Sequence, residues 1–302
     1  KSPNFLGLFL YLVTMNMDTI YQAFLSCKTI CTDTRNISEN CLFVALKGER
    51  FNANTFAKEA LEKGAKYVII DNPEYQIDNR TILVENSLDT LQKLAQHHRR
   101  QLGLPIIALT GSNGKTTTKE LINAVLSKKF KTVATIGNLN NHIGVPLTIL
   151  SVGKDAEMAV IEMGANHQLE IASYCSYTLP THGMITNCGK AHLEGFGGEA
   201  GVRKGKGELF DSLRDHQGTA FVMSDYDYLN EMSKGIKEII TYGAHSGDIQ
   251  ANAIDHHGMI SLEGTKGFNE RIDTQLVGTY NLLLAHHLLH FVRLKQLVCL
   301  HQ

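Results

Sequence analysis

Between Ile106 and Thr118 the chain reads IIALTGSNGKTTT, an apolar run, a glycine-rich turn, a lysine and three threonines. Gly111-Ser112-Asn113-Gly114-Lys115-Thr116 is a set of residues able to cradle a phosphate chain. Glycines let backbone N–H groups approach phosphate oxygens with no Cβ in the way, and a helix start adds positive potential. Lys115 supplies a point charge for β- and γ-phosphates, and Thr116 or Thr117 a hydroxyl for Mg2+. The common phosphate-binding loop carries another glycine five residues before its second; here that position is Leu109, so the loop is a shortened variant.

Other residues could join this chemistry. Glu162 ends an apolar run, where a carboxylate can hold Mg2+ or merely cap a strand. In TIGNLNNHIGVPLTIL, Asn138, Asn140 and Asn141 read as a polar turn before a strand. They are either turn formers or amide donors to a phosphate or carboxylate. His192 and Glu194 fall in a glycine-rich loop; one histidine among 14 is weak grounds for a metal ligand. Arg203, Lys204 and Lys206, in VRKGKGELF, read as a solvated basic face at a helix start.

The elements that must position these residues alternate between strand and helix. Residues 18–25, 55–63 and 88–100 have helical spacing, and 42–46, 67–70 and 81–84 read as strands. These make a small α/β domain that ends at Gly103-Leu104-Pro105. Strands at 106–109, 132–136, 158–163, 183–186, 221–223 and 239–242, with helices between, predict a doubly wound, mostly parallel sheet. Ligands of such sheets sit beyond the carboxyl ends of the strands, and Lys115, Glu162 and Asn187 all fall there. Alternation at 259–262 and 272–277 suggests antiparallel edge strands, and 282–300 reads as a helix.

Composition limits the partners. Hydrophobic residues make up 43% of the 302, enough for real cores, and a net charge of -1 gives no general pull toward nucleic acid or an anionic membrane. Six cysteines show no metal-ligand spacing and read as reduced thiols of a cytoplasmic protein. Phe5 to Met15 is apolar but shorter than the roughly 20 residues that span a bilayer. No small-residue cleavage site follows it, so residues 1–16 are expected to be a non-native leader, with the true start at Met15 or Met17.

Five motifs in order, GSNGKTTTKE, GNLNNHIGVPLTIL, EMGANH, TNCGKAHLEGFG and KGEL, together with TDTRNISENCLFVALKGERFNANTFAKEALEKGA, resemble the Mur ligase family from about Met17 to Asn281. The resemblance implies a UDP-substrate-binding domain over 17–102 and a central ATP-binding domain over 103–302. It implies an ATP-dependent ligase, a cytoplasmic monomer, that joins D-alanyl-D-alanine to UDP-N-acetylmuramoyl-tripeptide through an acyl phosphate. By family position Thr116 and Glu162 hold one Mg2+, His192 helps hold a second, and Lys206 is carbamoylated beside it. Asn138 and Asn141 line the phosphate and substrate region. Thr34, Arg35 and Lys47 contact the uridine nucleotide, and Asn281 lies near the adenine. A sibling ligase adding a diamino acid and a non-catalytic nucleotide-binding fragment are the rival readings.

The chain departs from the family pattern at three places. Leu169 and Leu284 replace a usual glycine and asparagine, and from Leu282 onward the family sequence is lost. The expectation is a partial or frameshifted reading frame with an aberrant tail over 282–302. The family's third, Rossmann-like domain, whose closure excludes water, is expected to be missing, and poor ligation with it.

Overall fold

The computed structural model describes residues 16–267, 269–277 and 286. The leader apart from Asn16, together with Asn281, Leu284 and the expected 282–300 helix apart from His286, therefore lies outside the described residues. Two compact units form, residues 16–101 with 149–151, and residues 102–148 with the rest of the described chain.

In the first unit β1 (Thr29–Cys31), β2 (Cys41–Val44), β5 (Tyr67–Ile70) and β6 (Thr81–Leu83) make a parallel sheet in the order β1-β2-β5-β6. Every residue of β2 is buried, as an unbroken apolar run in a parallel sheet requires. The short strands β3 (Lys47–Gly48) and β4 (Phe51–Asn52) pair separately as a hairpin. Helix α1 (Met17–Leu25) is capped by Asn16, and α3 (Ser87–Leu102) buries Leu91, Leu94 and Ala95. The helix expected over 55–63 is shorter: a 3-10 turn, Ala53–Phe56, capped by Asn52, precedes α2 (Ala57–Glu62).

The second unit is built on a nine-stranded sheet. Its strands are β7 (Ile106–Thr110), β8 (Thr132–Ala134), β9 (Met158–Glu162), β10 (His182–Ile185), β11 (Thr219–Met223), β12 (Glu238–Gly243), β13 (Ile249–His256), β14 (Met259–Lys266) and β15 (Arg271–Val277). The order is β15-β14-β13-β12-β11-β10-β7-β9-β8, parallel from β13 to β8 and antiparallel from β13 to β15. Helix α4 (Lys115–Leu126) follows β7 and buries Thr118, Lys119, Ile122 and Leu126. Among the described residues no helix is long and apolar enough to cross a membrane.

One expected strand is a helix. After the Asn138–Asn141 turn the chain forms α5 (Gly144–Leu150). The Asn141 side chain accepts from Ile143 N and Gly144 N at 3.0 and 2.9 Å, and Pro146 lies in the first turn, where its missing N–H costs nothing. The β-branched run VPLTIL hides that cap.

Helix α6 (Glu170–Thr178) is entered through Leu169, which takes φ +70° and is 73% exposed. A left-handed conformation disfavours a residue with a Cβ by about 1–2 kcal/mol, which accounts physically for a glycine at this position. Leu169→Gly is expected to stabilise the chain by roughly 0.5–1 kcal/mol after the extra unfolded-state entropy of glycine is subtracted. Thermal unfolding checks this through a rise in Tm.

Candidate nucleotide and metal site

Strand β7 is buried along its whole length and delivers the chain to Gly111. A Cβ on Gly111 would stand 2.0 Å from Thr186 Oγ1 and 3.1 Å from Asn187 N, so glycine is required here by close approach as well as by its φ of +150°. The segment leaving β10 grips the loop. Ser112 N donates to Asn187 O at 2.9 Å and Asn113 N to Asn187 Oδ1 at 3.1 Å. Thr186 Oγ1 and Asn187 Nδ2 both donate to Asn113 O, at 2.7 and 3.0 Å. Gly114, at φ +79°, starts α4, whose first intrahelical donor is Thr118 N. The amides of Gly114 to Thr117 therefore form the open, positive end of the helix. Lys115 Nζ donates to Gly111 O and Ser112 O at 2.9 and 3.4 Å. Burial lowers its pKa, against an opposing effect of Glu162.

Glu162, the last residue of β9, is 1% exposed. Its Oε1 accepts from Thr116 Oγ1 at 3.2 Å and from Asn140 Nδ2 at 2.7 Å, while its buried Oε2 has no hydrogen-bond partner. A buried, unsatisfied carboxylate oxygen beside a threonine hydroxyl fits a hard divalent cation such as Mg2+. Behind it, Glu162 N donates to Thr135 Oγ1 at 2.9 Å, and the wholly buried Lys119 donates Nζ to Thr135 O at 2.6 Å.

The three asparagines separate in role. Asn140 reaches the carboxylate, Asn141 caps α5, and Asn138 is exposed. His192 is exposed too, at φ +58°, at the start of the short helix α7 (Leu193–Phe196). No group of three or more His, Cys, Asp or Glu side chains suited to a metal occurs among the described residues.

The basic stretch lies within α8 (Glu199–Asp215) and divides: Arg203 and Lys204 are exposed, whereas Lys206 is 2% exposed. The solvated-face reading fails for Lys206 because it lies on the stripe of Val202, Leu209 and Leu213, all buried. Its Nζ donates to Ala165 O at 3.1 Å and lies 4.9 Å from the Phe196 ring centroid. Burial, then the charge of Lys115, pushes its pKa down to about 8.

That shift has a definite sign for stability. Below about pH 8 the ammonium is charged in the folded and unfolded chain alike, and its burial costs stability. Between about pH 8 and the ordinary 10.5 the folded form has released a proton that the unfolded chain still holds. Stability therefore gains up to ~1.4 kcal/mol per pH unit across that window from this group. Denaturant titrations at pH 8 and 10 are expected to show the gain, and Lys206→Met to remove it.

In the first unit, Thr34 and Arg35 form a 3-10 turn capped by Asp33, whose carboxylate holds the Arg35 guanidinium at 2.6 Å. The Arg35 guanidinium and backbone N–H hold the Asp33 pKa at about 2. Lys63 Nζ donates to Thr34 O at 3.2 Å, and Lys47 stands exposed on the β3–β4 hairpin.

Comparison with known proteins gives a consistent picture. Residues 109–285 match the Mur ligase middle domain and residues 27–99 the Mur ligase family, catalytic domain. The UDP-N-acetylmuramoyl-tripeptide–D-alanyl-D-alanine ligase of Escherichia coli (strain K12) is 41% identical over 239 residues, 78% of this chain and 52% of that protein. The ligase of the same name from Bacillus subtilis (strain 168) is 35% identical, over 85% of this chain and 56% of that one. The chain thus spans about half the length of the curated relatives it matches. A crystal structure of MurF from Acinetobacter baumannii superposes with a TM-score of 0.81 at 31% identity, covering 93% of this chain and 65% of that one. MurF ligase from Thermotoga maritima, in complex with ADP, gives 0.78 at 29% identity, covering 91% and 64%.

Proposed function

Because this chain belongs to the Mur ligase family, we propose that it joins D-alanyl-D-alanine to UDP-N-acetylmuramoyl-tripeptide at the expense of ATP, in peptidoglycan precursor synthesis. The observation that carries the reading is the convergence of Lys115, Thr116 and Glu162 at the ends of two adjacent parallel strands. The names of the relatives supply the substrates. With this reading go a cytoplasmic location and a monomeric state.

The residues divide the work. Lys115 and the amides at the start of α4 hold the transferring phosphoryl group, where negative charge concentrates. Thr116 and Glu162 would hold Mg2+, and by family position His192 would help hold a second ion. When bound, Mg2+ neutralises phosphate charge and orients the chain of phosphates. Lys206, with its pKa near 8, carries a share of neutral amine at neutral pH. That amine can add CO2, forming an N–C bond and releasing a proton, and the buried cation becomes an anion. Asn138 and Asn141 line the substrate side, Asn140 steadies Glu162, and Thr34, Arg35 and Lys47 receive the uridine nucleotide. Asn281, outside the described residues, is assigned to the adenine side.

The test is phosphate release with MgATP, the UDP-tripeptide and D-alanyl-D-alanine. Release that requires all three supports the reading. Release with a free diamino acid and the UDP-dipeptide instead assigns the chain to the sibling ligase. MgATP binding without any release leaves a nucleotide-binding fragment and sinks the ligase.

A further inference from the structure

Lys119 lies one turn after Thr116 on α4, and its side chain has no exposed surface. An ammonium is almost never enclosed in this way unless it is paired, because leaving water costs heavily. Two groups receive it. The exposed Glu120 offers Oε1 at 2.7 Å, and Thr135 offers its main-chain oxygen at 2.6 Å. Glu120 offsets the charge, and Thr135 O fixes where the ammonium points.

Thr135 directly follows β8, the end strand of the nine-stranded sheet, which has a sheet neighbour on one side only. The buried Thr135 donates N–H to Val160 O at 3.0 Å, and its Oγ1 accepts from Glu162 N at 2.9 Å. Further along, Asn140 meets Glu162 again, donating Nδ2 to Oε1 at 2.7 Å, and Asn140 O accepts from Gly164 N at 2.7 Å. Residues 135–140 therefore hold Glu162 both at its main chain and at its carboxylate. Between the two contacts Ile136 is 74% exposed, and Lys119 joins the inner end of the segment to α4.

These bonds close a circuit. Thr116 Oγ1 donates to Glu162 Oε1 at 3.2 Å, and Glu162 N donates to Thr135 Oγ1. Thr135 O accepts from Lys119, which neighbours Thr116 on one face of α4. The hydroxyl and the carboxylate that face the ion thus belong to one ring of contacts, and Lys119 completes it.

We propose that Lys119 is a positioning residue for the divalent cation: by holding Thr135 to α4 it sets the spacing between the Thr116 hydroxyl and the Glu162 carboxylate. The proposal rests on the metal reading of Thr116 and Glu162 and adds the residue that fixes their geometry. Three roles for a buried lysine predict three different results. A purely structural lysine costs stability when removed and leaves ion affinity alone. A lysine acting through its charge repels the ion, so its removal tightens binding. A positioning lysine weakens binding when it is removed.

Titration of the full chain with Mn2+, with the free ion followed by electron paramagnetic resonance, tests the proposal. Mn2+ takes the same oxygen ligands as Mg2+. The parent is expected to bind the ion and Glu162→Gln to lose it, as the metal reading requires. Lys119→Met and Thr135→Val are each expected to weaken Mn2+ about 10-fold, the usual effect of removing a partner that orients a metal ligand. Thr135→Ser, which keeps the hydroxyl, is expected to bind within about 3-fold of the parent. Metal-free inorganic tripolyphosphate, held by Lys115 and the α4 amides, is expected to bind Lys119→Met and Thr135→Val as it binds the parent. Methionine keeps the lysine stem and leaves Glu120 in solvent, so Lys119→Met is expected to fold; if it does not, the Thr135→Val and Thr135→Ser pair decides. Unchanged Mn2+ affinity in either Lys119→Met or Thr135→Val overturns the positioning role, while the Glu162→Gln loss leaves the metal reading standing. Tighter Mn2+ in Lys119→Met, or equal weakening of Mn2+ and tripolyphosphate, overturns it as well. No Mn2+ binding by the parent, or none lost in Glu162→Gln, overturns the metal reading and the proposal with it.

Discussion

Lys115→Met is expected to lower MgATP-dependent phosphate release by about a thousandfold, which corresponds to ~4 kcal/mol of lost transition-state stabilisation. Charge on a transferring phosphoryl group spreads over its equatorial oxygens, and a fixed ammonium beside it costs no reorganisation when the charge appears. Lys115 is held ready for that role. Its stem is partly buried, and its Nζ already lies against the carbonyls of Gly111 and Ser112 at the rim of the loop. Methionine preserves the length and apolar character of the stem, so the fold is expected to survive. Circular dichroism would then match the parent chain while phosphate release falls. Activity within tenfold of the parent would refute the role.

Glu162→Gln is expected to raise the Mg2+ concentration needed for half-maximal activity by about 100-fold, a loss of ~3 kcal/mol in cation binding. The amide has nearly the same shape, and it can keep one oxygen to accept from Thr116 and Asn140. What it removes is the charge, together with the buried Oε2 that nothing else in the site satisfies. Stability is expected to change little, since the gain from removing a buried charge is offset by an amide Nε2 that takes the unpartnered place of Oε2. A Mg2+ titration of activity alongside thermal unfolding separates the two effects. An unchanged Mg2+ requirement would remove Glu162 from the metal site.

Much of the central site was legible in the sequence because its signals are local. Gly111, Gly114 and Lys115 lie within five positions, and Glu162 ends its own apolar run. Asn187 and Asn140 stand out as residues, at a strand end and in a polar turn, but their partners carry no such local mark. Asn187 and Thr186 act through partners more than 70 positions away, and Asn140 reaches Glu162 across 22. Strand β13 leaves little trace in the sequence for a different reason. Its inward positions include Ala251 and Ala253, too small to print a strong period-2 signal. Lys206 is an instructive case, since its burial was readable in principle. A lysine four residues after Val202 and three before Leu209 occupies a place on an apolar stripe, and only a specific partner makes that tolerable.

The grip of the Thr186–Asn187 segment on the phosphate-binding loop has a kinetic consequence. A loop of six residues that looks self-contained takes its shape from hydrogen bonds spanning 73 to 74 positions. Contacts of that separation form only after the entropy of closing a long stretch of chain has been met, so they belong to the slow part of assembly. Nucleotide capture should then report on arrival at the native state, appearing after helix α4 has formed and only once β10 has docked beside β7.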